Sequence, residues 1–272
     1  MIGQTALINT IGRLLAQSMY PQFSIIDGPE GSGKKTICKE IFGKTAISMC
    51  FVPDNKVETV RNVIADSYKA TMPTMYIFTD VDDMSVQAKN ALLKVTEEPP
   101  KSAYFVMTVC DLNTVLDTIK SRATIVHMKP YTAKEISQYA SKYSDSPLYA
   151  ELCVTPGEVD KLHDMNVEEF YSYVEKVVDN IAYVSLANVF KIESKIAFKP
   201  DDKGYDMRLF LVAFQRVCQR RMIEDIEVHD DCVYWIEAIK IVAQILKQMR
   251  VTGINKSALF DRFILEIRKV WS

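Results

Sequence analysis

The sequence has no apolar run near the ~20 residues that a bilayer-spanning helix needs, so no membrane partner is expected. It has no Cys-x-x-Cys pair. Its six cysteines, at positions 38, 50, 110, 153, 218 and 232, stand apart, which removes the common structural-zinc spacings. It has no surplus of positive charge either. Lys plus Arg is 33 against 35 for Asp plus Glu, a formal net charge of −2, so capture of nucleic acid by overall charge is excluded. Histidine is scarce: His127, His163 and His229 share no ligand spacing and are expected to be structural. The first residues, through Gln17, lack a charged start followed by an apolar block, so no secretory signal is read there. Reduced thiols and a cytoplasmic location are the resulting expectations.

What is present is ordinary globular material, 48% hydrophobic and 25% charged residues over 272 positions. Leu7, Ile11, Leu14 and Leu15 recur at helical spacing near the start. Strands are expected at 23–27, 46–52, 75–79, 104–109 and 124–128. Helices are expected between them at 34–42, 56–68, 85–96 and 115–120, with Ser85 as an N-cap. That alternation predicts a parallel sheet covered on both faces. After Pro130 the strand signal fades. Helices are expected at 133–142 behind the cap Thr132, at 167–190 and at 207–222, with a polar loop at 199–204. A further helix carries the face Trp235, Ile239, Val242, Leu246 and Met249 and ends at Gly253. Asn255 caps a last one with Phe260, Phe263, Ile267 and Val270 on its face. The class is α/β plus all-α.

Residues 28–36 read GPEGSGKKT, between an expected strand and an expected helix. This is the P-loop pattern GxxxxGK, whose glycines turn backbone N–H groups inward to cradle phosphate oxygens at a helix N-terminus. Gly28, Pro29, Gly31, Gly33, Lys34, Lys35, Thr36 and the distant Asp80 are the candidate nucleotide-binding residues. One part is replaced. The hydroxyl that ligates magnesium should follow Lys34, but Lys35 stands there, and Thr36 is one helical step, ~100°, further round. The strand at 75–79 ends in Asp80, suited to organising a metal. Val81 stands where a water-activating Glu would be and lacks the proton acceptor that general-base catalysis requires. Asp82 and Asp83 are expected to cap the loop before Ser85.

Residues 85–100, SVQAKNALLKVTEEPP, resemble the stretch after this strand in clamp-loader ATPase subunits of the AAA+ class. Asn90-Ala-Leu-Leu-Lys94, Glu97-Glu98-Pro99 and Thr118-Ile-Lys-Ser-Arg122 carry the resemblance, with Ala123 where that family usually has Cys. The resemblance implies a P-loop parallel-sheet domain over 1–130, a small helical lid over 131–164 and a helical collar over 165–272. It implies a hetero-pentameric ring of clamp-loader subunits acting on a sliding clamp and primer-template DNA. It also implies that Arg122 is an arginine finger reaching a neighbour's nucleotide; a guanidinium offers charge and forked donors to a transferring phosphoryl group.

Lys35, Val81, an uncertain polar residue around Thr108–Cys110, and a lid segment TPGEVDKL with Glu158 and Asp160 but no early Arg all depart from a working hydrolase. The family's zinc module is absent; Cys38 and Cys50 cannot complete a four-ligand site. ATP binding is left open and magnesium is disfavoured. Within the family the pattern is most like the delta-prime subunit of bacterial DNA polymerase III, a stator that completes a neighbour's site. An active clamp-loader ATPase and an unrelated P-loop kinase remain the alternatives. Lys89 and Lys94 are weak candidates for a DNA phosphate contact. Arg220-Arg221 and the stripe Phe260, Phe263 and Trp271 read as helix surface, core or subunit contact.

Overall fold

Three short strands of the first half are apolar and buried almost without a break, and because successive side chains point to opposite faces they build two layers. In β1 (Phe23–Asp27) Phe23 and Ile25 face one side and Ile26 the other. In β3 (Thr74–Phe78) Tyr76 and Phe78 oppose Met75 and Ile77; in β4 (Ala103–Val109) Phe105, Met107 and Val109 oppose Val106. Successive side chains of a strand point to opposite faces, so each sheet face requires its own helical cover. The computed structural model describes residues 2–183, 191–198, 202–226, 232–249 and 254–271. With β2 (Ser48–Phe51) and β5 (Thr124–His127), the strands form a five-stranded parallel sheet in the order β2-β3-β4-β1-β5.

One face is covered by α1 (Thr5–Ala16) and α2 (Lys34–Phe42), through Ile11, Ile37, Ile41 and Phe42. Cys38 lies in this layer, where burial pushes its thiol up to about 12 and keeps it protonated. The other face is covered by α3 (Val57–Ser67), α4 (Val86–Glu97) and α5 (Asp117–Lys120), through Val60, Ala88, Leu92, Val95 and Ile119. Ser85 caps α4 as expected, accepting from the Ala88 N–H at 3.2 Å. Thr132 and Glu135 form a reciprocal capping box at the start of α6 (Ala133–Ala140).

The chain divides into two compact units, Met1–Lys142 with Val154–Lys161, and Tyr143–Cys153 with Leu162–Ser272. Segment 131–164 is thus shared between them. The first unit holds the sheet, α1 to α6 and nearly all of α8 (Pro156–Leu162).

The second unit contains α7 (Leu148–Leu152), α9 (Val167–Asn180), α10 (Met207–Ile226), α11 (Val233–Gln248) and α12 (Lys256–Trp271). It also carries a parallel pair of two-residue strands, β6 (Ile196–Ala197) and β7 (Tyr205–Asp206). Such short strands leave no periodic signal, so the sequence did not announce them. Beside them the φ of Gly204 is +139°, and an added Cβ would lie 2.6 Å from the Lys195 carbonyl oxygen. The helix expected to run to 190 ends at Asn180; residues 184–190, the first part of the 199–204 loop, His229 and Gly253 lie outside the described residues. On α11 the buried stripe is Trp235, Ala238, Val242 and Ile245, with Ile239, Leu246 and Met249 on its half-buried edge. The expected face is rotated because Ala238 and Ile245 also lie on the seam. Asn255 caps α12, accepting from the Ala258 N–H at 3.2 Å.

Aromatic rings lock this unit. Phe214 packs edge-on against Phe263 with centroids 5.1 Å apart and stacks on Trp271 at 5.8 Å. Phe210 meets Phe214, Phe260 and Phe263. Phe214→Ala is expected to lower stability by about 3–5 kcal/mol, read by denaturant titration, and to shift the emission of Trp271.

Candidate functional site

The turn between β1 and α2 is built by its glycines. Gly31 and Gly33 have φ of +72° and +88°, a region that L side chains rarely enter. Gly28 is buried, and a Cβ there would lie 2.7 Å from Met128. Pro29 is exposed; its carbonyl accepts from the Ser32 N–H at 3.2 Å. Glycine-dependent turns of this kind are what backbone nests for phosphate oxygens are made from.

The lysines of the loop are turned to internal partners. Lys34 is only 6% exposed, and its ammonium donates to the Gly28 carbonyl at 2.6 Å, the Pro29 carbonyl at 3.0 Å and the Cys110 thiol at 3.1 Å. An ammonium has three donors, and these contacts engage all of them. To meet a phosphate oxygen, Lys34 must leave a partner. Lys35 pairs with Asp80, Nζ to Oδ2 at 2.7 Å. The lysine that replaces the magnesium hydroxyl therefore puts its own positive charge on the carboxylate expected to organise the metal. Thr36 is exposed on the next helical step.

Asp80 is held in a left-handed conformation, φ 55°, at the end of β3. Its N–H donates to the Thr108 hydroxyl at 3.1 Å, and its carbonyl accepts from the Asn55 amide at 3.1 Å. Thr108 thus ties β4 to the Asp80 turn. Val81 is fully buried in the layer with Phe78, Met84 and Ala88. Asp82 caps a loop, but a different one from that expected: its carboxylate accepts from the N–H groups of Cys110 and Asp111, both at 2.8 Å, after β4.

A second segment of the same unit closes on the loop apex. The Gly157 N–H donates to the Gly31 carbonyl at 2.9 Å, Lys161 pairs with Glu30 at 2.7 Å, and the Tyr131 hydroxyl donates to the Ser32 carbonyl at 2.7 Å. A Cβ on Gly157 would come within 2.5 Å of the Gly31 Cα. Glu158 and Asp160 are not bare charges. Glu158 accepts from the Val154 N–H at 2.7 Å, and Asp160 accepts from Tyr139 at 2.9 Å and Lys142 at 3.0 Å.

Arg122 is exposed beyond the end of α5. Its Nη1 donates to the Thr118 carbonyl at 2.8 Å and its Nη2 to Glu97 at 3.1 Å. It joins none of the loop residues. Of the weaker candidates, Lys89 is buried and donates to the Thr114 carbonyl at 2.7 Å, which removes it as a phosphate contact. Lys94 lies over the Tyr68 ring, 5.8 Å from its centroid. His127 pairs with Asp27 at 2.8 Å and His163 with Asp164 at 3.1 Å. Arg220 pairs with Glu175, and Arg221 with Asp179 at 3.1 Å, so the basic pair is a helix–helix contact. Glu97, Cys110, Tyr131 and Lys161 were not marked as partners by the sequence. Each is remote in the chain from the residue it meets, and only the register of sheet and helices brings them together.

Residues 11–132 match the family model described as "DNA polymerase III, delta subunit". Over these residues the chain is similar to clamp-loader subunits of DNA polymerase III. Among similar proteins, the DNA polymerase III subunit gamma of Buchnera aphidicola subsp. Schizaphis graminum is 32% identical over 128 residues, 44% of this chain and 34% of that one. The DNA polymerase III subunit delta' of Bacillus subtilis is 35% identical over 78 residues, 29% of this chain and 24% of that one. The chain spans about a third of the length of the first curated relatives it matches, 34%, 38% and 31%. A gamma subunit-related protein of Thermotoga maritima shares the fold, with a TM-score of 0.55 and 17% identity over 97% of this chain and 99% of that one.

The glycine-rich backbone of the loop suits a phosphate, but the side chains do not fit magnesium. Asp80 already carries an ammonium, and among the described residues no group of three or more His, Cys, Asp or Glu is placed to hold a metal. Lys35→Thr is therefore expected to make nucleotide binding magnesium-dependent, whereas any nucleotide the wild-type chain takes binds equally with and without EDTA; calorimetric titration with ADP reads the difference. Restoring the acid with Val81→Glu is expected to lower stability by about 3 kcal/mol without creating hydrolysis, measured by denaturant titration and phosphate release.

Proposed function

We propose that the chain is a stator subunit of the delta-prime type in a DNA polymerase III clamp loader. In this reading it stands in a hetero-pentameric ring with ATPase subunits and supports the loading of a sliding clamp onto primer-template DNA in the cytoplasm. The nucleotide-binding part (1–130), lid (131–164) and collar (165–272) would do this as a frame, and Arg122 would act as the catalytic group lent to a neighbour's ATP. The observation that carries the reading is the Lys35–Asp80 pair at 2.7 Å, together with the burial of Val81. Magnesium and the water-activating base are both displaced, while a guanidinium remains exposed. ATP held on the loop backbone is compatible with this role and is not required by it.

The second reading is an active clamp-loader ATPase. The intact glycine geometry of the loop and the gamma relatives favour it. The two diverge in a simple assay. The isolated chain is expected to show no magnesium-dependent ATP turnover, and in the complex recovered with it Arg122→Ala is expected to slow hydrolysis at the neighbouring site by about 10³-fold. Turnover by the isolated chain that is lost in Lys34→Ala and kept in Arg122→Ala would transfer the assignment to the motor.

A further inference from the structure

The Arg122 guanidinium rests on two supports from different helices. Thr118, whose carbonyl accepts from Nη1, belongs to α5; Glu97, whose Oε1 accepts from Nη2, is the last residue of α4. Neither support is loose. Leu92 and Val95 of α4 and Ile119 of α5 are fully buried in one layer. The end of α4 is tied further: the Thr96 hydroxyl donates to the Leu93 carbonyl at 2.7 Å and the Glu98 N–H to the Lys94 carbonyl at 3.1 Å.

A guanidinium is planar and has five N–H donors. Held at one nitrogen it pivots; held at both terminal nitrogens its plane is set. Two donors are engaged here, and the other three remain for a second molecule. The side chains of Arg122 and Glu97 are 39% and 57% exposed, so solvent screens the attraction between them. What the contact supplies is orientation.

We propose that Glu97 is a positioning residue: its Oε1 presets the plane of the Arg122 guanidinium for a phosphoryl group held by a neighbouring chain. This inference rests on Arg122 being the lent catalytic group. The need is for an acceptor at that place rather than for a negative charge. The Glu97→Gln form keeps a side-chain carbonyl oxygen that can accept from Nη2, and the Glu97→Ala form keeps none.

The test uses the complex that co-purifies with the tagged chain, in wild-type, Arg122→Ala, Glu97→Ala and Glu97→Gln forms. Freeing one long side chain is expected to lower kcat at the neighbouring site by about fivefold in Glu97→Ala, with KM for ATP unchanged. Glu97→Gln is expected to recover most of that loss. In the isolated chain, nitrogen relaxation of the Arg122 Nε–H should report an ordered side chain in the wild-type and Glu97→Gln forms and a mobile one in the Glu97→Ala form. If Arg122→Ala abolishes hydrolysis while Glu97→Ala leaves kcat unchanged or raises it, Glu97 does not position the finger. Equal loss in the Glu97→Ala and Glu97→Gln forms overturns the acceptor argument. Unaltered hydrolysis in Arg122→Ala overturns the lent-arginine reading itself, and this inference with it.

Discussion

The candidate site is organised around one ammonium on one carboxylate, Lys35 on Asp80 at 2.7 Å. Both side chains are about half exposed, 54% and 50%, so the pair adds little to stability, about 0–1 kcal/mol. Its effect is one of occupancy. Magnesium requires close oxygen ligands in near-octahedral array, and a lysine lying on the Asp80 carboxylate takes that position with a single charge and no open coordination site. The neighbouring departures are consistent with it. Val81 has no acid to offer, Thr108 is bonded to the backbone of Asp80, and Lys34 faces its own loop.

Much of the architecture was legible in the sequence because it rests on local rules. Short apolar runs marked each strand of the sheet, Ser85, Thr132 and Asn255 marked helix starts, and GPEGSGK marked the turn where Gly31 and Gly33 need positive φ. The failures have physical causes. The pair β6 and β7 is too short for a periodic signal, and the buried seam of α11 follows Ala238 and Ile245 because a small residue packs as well as a large one there.

The site was legible in its residue types but not in its contacts. The replacement by Lys35 could be read as a missing hydroxyl, yet nothing in the spacing indicated that the substituted side chain would bond to Asp80. Lys89 looked like a surface cation on an amphipathic helix, but its long apolar stem lets it end under the Thr114 carbonyl. Asp82 was read as a local cap, and it instead receives the N–H groups that follow β4. Each of these joins segments distant in the chain.

The contact between Gly31 and Gly157 constrains how this lineage can vary. An atom added to either residue meets the backbone of the other, whereas Pro29 and Glu30 beside them are exposed. Drift in descendants should therefore spare both bare positions together and accumulate on the outer residues of the turn. A lineage in which only one of the pair has acquired a side chain must also have pulled the two segments apart.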